Sequence, residues 1–168
     1  MKASIRTIGK EFSTHRMLKE YSERFYIPAL ENWRSLHAAD FAPAKELAAY
    51  IEKATKAWPN VAIADLLVDA KPIMERGDTV DVAATVNLAG LEPNEASVEL
   101  YHGTLSSQGE IVDAERNEMT PTGKKGELWE YRITVTCKLT GQHGYSARIL
   151  PKHPALASPY VPGLVRWA

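Results

Sequence analysis

Five histidines, His15, His37, His102, His143 and His153, are the side chains best suited to hold a metal, but they lie far apart in the sequence. A zinc site draws its ligands in pairs a few residues apart, because one turn or helix must aim both at the same ion. That spacing is missing, so no metal site is expected. Nucleophilic chemistry fares no better: Ser97, Ser106 and Ser146 fall in strand or turn patterns, and no Gly-x-Ser-x-Gly elbow is present. Asp65 with Asp69, or Glu127 with Glu130, offer the two carboxylates that a glycosidase uses as acid and nucleophile. Nothing in the surrounding pattern marks a pocket that would set their pKa values apart, and exposed strand charges account for them. The aromatic rings make a better case, since Trp58, Tyr101, Trp129, Tyr160 and Trp167 can stack on the apolar faces of glucose units. Trp129 falls on the apolar face of its strand, and core packing is the favoured reading of the group. Trp58, Tyr101 and Trp167 remain the candidate glucan-stacking residues, with Trp58 and Trp167 also readable as packing where one domain joins its neighbour.

Positioning these residues is the task of 168 residues, enough for one core or for a helical piece beside a compact β domain. Apolar residues make up 45% and charged residues 24%, a balance that favours folding over disorder. Lys and Arg number 20 against 21 Asp and Glu, a formal charge of −1. No positive field is left over for nucleic acid or an anionic membrane, so neither is expected as a partner. Cys137 is the sole cysteine, which excludes an internal disulfide and agrees with a cytoplasmic location. No stretch reads as a signal core, and none approaches the roughly 18 apolar residues of a spanning helix.

The hydroxyl of Ser13 or Thr14 can cap a helix in which Met17, Leu18, Tyr21 and Phe25 form one apolar face, with Lys19, Glu20, Glu23 and Arg24 mainly on the other. Pro28 marks a break or kink, after which Leu30, Trp33 and Leu36 resume the helical spacing. Asp40 is a candidate cap for the next helix, whose face is Leu47, Tyr50, Ile51 and Ala54. Trp58-Pro59-Asn60 closes the helical region, and the period then falls to two. Trp129, Tyr131, Ile133, Val135, Cys137 and Leu139 alternate with polar residues, as do Val80, Val82, Ala84, Val86 and Leu88. Glycines, among them Gly77, Gly90, Gly109, Gly123, Gly126 and Gly141, punctuate the strands as turns. The expected class is α+β: a helical segment over 1–58, then an antiparallel, immunoglobulin-like β-sandwich over 59–168. Leu164 to Ala168 reads as a closing edge strand.

The stretch FSTHRMLKEYSERFYIPA, from Phe12 to Ala29, resembles the last helix of the glycogen and α-glucan phosphorylases, and MKASIRTIG, from Met1 to Gly9, fits the helix before it. Further on, SVELYHGTLSSQGEIVDAE (Ser97 to Glu115), GYSARILPKHPALASP (Gly144 to Pro159) and GLVRWA (Gly163 to Ala168) resemble the tail of bacterial members that carry an extra C-terminal domain. The resemblance implies that Met1 is internal to a longer chain, whose parent enzyme releases glucose 1-phosphate from an α-1,4-glucan. It implies pyridoxal phosphate on a lysine motif that this chain lacks, so no catalytic or cofactor-binding residue is carried over and the chain alone is expected to be non-catalytic. In the family the matching helix packs back across the enzyme, which makes Arg16, Met17, Tyr21, Arg24 and Phe25 candidate domain-interface residues and the rest of the catalytic core the expected partner. Two rival readings stand beside this one. The chain is a stand-alone module that binds glucan or another protein, or the helices pair with a second copy through Met17, Tyr21 and Phe25.

Overall fold

The structure is a computed structural model that describes residues 8, 9 and 12–168. Most of the Met1 to Gly9 block therefore lies outside the described residues. The chain divides into two compact units, 1–48 and 49–168.

In the first unit, helix α1 spans Thr14–Tyr21, and the Ser13 hydroxyl caps it by accepting from the Arg16 backbone N–H at 3.2 Å. A widened π turn over Ser22–Tyr26 leads into helix α2, Ile27–Ala57. Pro28 lies two residues beyond that turn. A proline ring collides with the carbonyl four residues back and has no N–H to give it, and a widened turn relieves both faults without ending the helix. The break comes later. Ala38 is extended, and Ala39, Asp40 and Phe41 adopt left-handed backbone angles, which cost residues bearing a Cβ of order 1–2 kcal/mol each. Asp40 sits inside this reversal, and its carboxylate and carbonyl both accept from Lys45. Pro43 follows in the first turn of the resumed helix, where its missing N–H has no partner to lose. None of the described residues of 12–48 is buried.

The second unit begins within α2 and passes through a 3₁₀ turn, Trp58–Asn60, into eight strands. These are β1 (Ala62–Asp69), β2 (Thr79–Asn87), β3 (Ala96–Leu105), β4 (Ile111–Glu118), β5 (Thr120–Lys125), β6 (Leu128–Thr136), β7 (His143–Pro151) and β8 (Arg166–Trp167). They form two antiparallel four-stranded sheets, ordered β1-β2-β6-β5 and β4-β3-β7-β8. The period-two pattern works as expected: Val80, Val82, Ala84 and Val86 turn inward from β2, opposite Val98, Leu100, Ala147 and Ile149 of the second sheet. β6 ends at Thr136, three residues short of Leu139, and Gly123 lies at a register shift within β5 rather than in a turn. Gly103 and Gly144 face each other across β3 and β7, where β4 presses in. A Cβ on Gly103 would lie 2.5 Å from the Val112 carbonyl oxygen, so that position needs glycine for close approach, while one on Gly144 would meet the Leu105 and Ile111 side chains at 2.6 and 2.7 Å.

Tyr131 brings a polar atom into the sandwich interior. Among the described residues the buried Tyr131 hydroxyl has no hydrogen-bond partner, and burial, helped by the Glu118 charge, pushes its pKa up to about 12. A buried donor left unmade costs the desolvation of that group. Tyr131→Phe is therefore expected to leave stability unchanged or raise it by up to about 1 kcal/mol in urea denaturation. A loss larger than that would show that the hydroxyl is satisfied inside the sandwich.

Candidate functional site

The first candidate surface is the apolar face of α1 and the turn that follows it. Met17 and Phe25 are 52% and 59% exposed, and Leu18, Tyr21 and Tyr26 are exposed as well. Tyr21 packs its ring 5.7 Å from Phe25 and 6.3 Å from Tyr26, so the three rings form one patch. Arg16 lies over the Phe12 ring at 5.9 Å and pairs with Glu20 at 3.7 Å. Phe12, Arg16, Met17 and Tyr21 border a shallow groove of about 270 Å³. Arg24 is exposed in the π turn, in the same segment as the other four interface candidates.

The second surface belongs to the sandwich. Outward positions of a sheet normally meet water, yet Arg148, on the outer side of β7, is buried. Its Nη2 lies 2.6 Å from Glu99 Oε2, its Nε donates to the same oxygen at 2.8 Å, and Nη2 donates to the Tyr160 hydroxyl at 3.0 Å. The guanidinium carbon stands 5.2 Å from the centre of the Tyr160 ring and 5.3 Å from that of Trp167. Tyr101 meets Trp167 edge-on at 5.4 Å. Burial works against the Arg148 charge, but the bonds to Glu99 and Tyr160 outweigh it and hold the pKa above the ordinary guanidinium value. The proline-bearing segment 152–165 crosses this outer side, and Leu150 beneath it is fully buried.

A polar joint ties the end of α2 to the sandwich. The Tyr50 hydroxyl donates to the Glu95 carbonyl at 2.7 Å and accepts from the Lys152 N–H at 2.9 Å, while its ring stacks on His153 at 4.9 Å. Lys53 reaches both Glu95 carboxylate oxygens at 2.6 Å.

The rings chosen from sequence separate on this evidence. Trp58 is 1% exposed, so it offers no face to a sugar and is a core residue; its carbonyl accepts from Arg166 at 3.2 Å. Tyr101 and Trp167 come together around Arg148, joined by Tyr160. Sequence reasoning passed over Arg148 itself, which reads as one more polar residue alternating along a strand. Asp65 and Glu130 both flank Thr85 in one row across the first sheet, and Asp69 faces Asp81. Among the described residues no group of three or more His, Cys, Asp or Glu is placed to hold a metal. Pyridoxal phosphate is carried on a lysine, and among the described lysines Lys53, Lys71, Lys138 and Lys152 are ion-paired to carboxylates near the surface while Lys124 lies over Trp129. No step through that group is assigned to this chain.

Residues 58–168 match the family model described as glycogen phosphorylase C-terminal domain. The chain is 36% identical over 169 residues to a glycogen phosphorylase of Mycobacterium bovis, covering 98% of this chain and 19% of that one, and equally so to its Mycobacterium tuberculosis counterpart. It is 32% identical over 171 residues to a maltodextrin phosphorylase of Thermococcus litoralis, covering 99% of this chain and 20% of that one. The chain thus spans about a fifth of the length of the curated relatives it matches.

Burial alone would raise the Glu95 carboxyl pKa, but Lys53 and the Glu92 N–H overcome that and leave it below the usual value. A carboxyl depressed in the folded state adds stability that is present above its unfolded pKa and is lost as pH falls through the folded one. Glu95→Gln is expected to melt lower than the parent at pH 7 and to lose less on acidification to pH 3. Equal losses in both proteins would remove Glu95 from the acid response.

Proposed function

The chain belongs to the glycogen phosphorylase C-terminal domain family, and from that premise we propose that it is the closing helical segment and accessory sandwich of a larger α-glucan phosphorylase. The full enzyme would move a glucosyl unit from the end of an α-1,4-glucan to phosphate in the cytoplasm, using pyridoxal phosphate held elsewhere in the protein. Residues 1–58 would close the catalytic body and 59–168 would form the accessory domain, with this chain non-catalytic by itself. The strand order of the sandwich supports an immunoglobulin-like reading: its first, second, sixth and fifth strands share a sheet as A, B, E and D do in that fold.

The observation that carries the proposal is that residues 12–48 bury none of their described side chains while presenting Met17, Leu18, Tyr21, Phe25, Tyr26, Leu30 and Trp33 to solvent. Exposed apolar surface on this scale marks an interface. Arg16, Met17, Tyr21, Arg24 and Phe25 are the residues proposed to meet the catalytic core. The same exposed rings support a second reading, in which two copies of the chain pair through this face.

Calorimetry with a phosphorylase shortened to end before the region matched by this chain tests the first reading, and light scattering of the chain alone tests the second. Burying a Met or Phe side chain is worth about 1.5–3 kcal/mol, so Met17→Asp with Phe25→Asp is expected to weaken docking at least about a hundredfold. A wild-type chain that does not bind the shortened enzyme would overturn the first reading. A doubled mass in light scattering, reduced to the monomer by the same substitutions, would establish the second.

A further inference from the structure

The Arg148 cluster sits on the outer side of the second sheet, and fastening the tail does not account for all of it. Tyr160 and Trp167 each take the guanidinium on one ring face, yet they remain 53% and 49% exposed. About half of each residue's surface is thus open to solvent. Two large aromatic side chains at one polar spot are an expensive way to hold an arginine that Glu99 already pairs. Beside the rings runs a groove of about 190 Å³ lined by Ser97, Glu99, Lys152, His153, Leu156 and Pro159. Glu99 belongs to both, so the aromatic platform and the polar groove are continuous.

We propose that Tyr160 and Trp167 form a stacking platform for an α-glucan chain, with Ser97, Glu99, Lys152 and His153 placed along the adjoining groove to meet sugar hydroxyls. A pyranose ring has an apolar face of C–H bonds, which an aromatic face attracts, and a rim of hydroxyls that both donate and accept. The cluster supplies the complement of each. Each ring centre stands within 5.3 Å of the one guanidinium carbon. Arg148 fixes both rings before the ligand arrives, which lowers the ordering cost of binding. The choice of α-glucan rests on the phosphorylase reading and on the names glycogen and maltodextrin phosphorylase carried by the relatives. Physically this is a holding site, which keeps polymer near the protein without touching the reacting end.

Co-sedimentation of the full chain with insoluble amylose, with cellulose as the control polymer, tests the platform. The parent chain is expected to leave the supernatant with amylose and to stay in it with cellulose. Trp167→Ala and Tyr160→Ala are each expected to weaken retention about tenfold. Tyr160→Phe keeps the ring but loses the hydroxyl that Arg148 bonds, and is expected to bind like the parent. Melting curves confirm that each variant is folded. The proposal is overturned if the parent stays in solution, if removing the rings changes nothing, or if Tyr160→Phe loses as much as Tyr160→Ala, since the hydroxyl clamp would then be the whole role of Tyr160. Docking to the shortened phosphorylase is measured separately: loss of amylose binding with docking intact sinks the platform alone, and the converse sinks the phosphorylase reading alone.

Discussion

The sandwich depends on how it treats one charge. Arg148 stands where an outward strand residue would ordinarily be solvated, and the last part of the chain folds over it. A guanidinium taken out of water is costly unless its donors are met. Here Glu99 meets two of them across the β3–β7 pair, and Tyr160 meets a third from the tail. Trp167 then lies against the same cation, its neighbour Arg166 reaches the Trp58 carbonyl, and the Ala168 N–H donates to Ala147 at 2.9 Å. Apart from the Arg166 bond to Trp58, these ties all pass through Arg148 and Ala147 of β7. Four prolines between 151 and 162 reduce the freedom that closing this segment must remove.

That arrangement explains what the sequence disclosed and what it withheld. Period-two runs in β2 and β6 were legible because both strands have one inward and one outward face, and the two register against each other throughout. β7 was legible only in part. Tyr145, Ala147 and Ile149 alternate correctly, but Ser146, Arg148 and Leu150 look like the solvated half of the same pattern, when Arg148 and Leu150 are in fact covered by the tail. Periodicity reports the face a residue takes, not what later crosses that face. The glycines show the same limit. Those at turns announce themselves between strands, whereas Gly103 is inside a strand and required by the approach of the β4 backbone, a tertiary cause with no local signal.

Helical spacing in the first unit was equally legible, and its face was read correctly as apolar. Its irregularities were less so. Pro28 reads as a break, but the π turn just before it absorbs the fault, and the true reversal falls at 38–41, where Ala39 and Phe41 carry no hint of left-handed backbone. Only Asp40 belongs to a residue type that visits that region with ease. Trp58, named from sequence as a stacking candidate, is instead buried at 1% exposure. It sits where the spacing changes from helix to strand, a place where aromatic residues serve equally well to seal a core or to face a ligand, and type alone does not separate the two.

The two units meet the requirements of folding in opposite ways, and this carries the functional argument. The sandwich buries strand after strand against itself, so the apolar area it removes from water offsets the entropy lost in ordering the chain. The helices of residues 12–48 remove almost none, and isolated helices of α1's eight residues are marginal in water even with favourable composition. Capping by Ser13 contributes only about 1 kcal/mol and does not change that balance. A helix whose rings gather on one face, with charged residues on the other, therefore gains its stability from whatever covers those rings. The order of the chain then has a physical meaning: a β domain with its own core follows a segment, residues 12–48, in which no described side chain is buried.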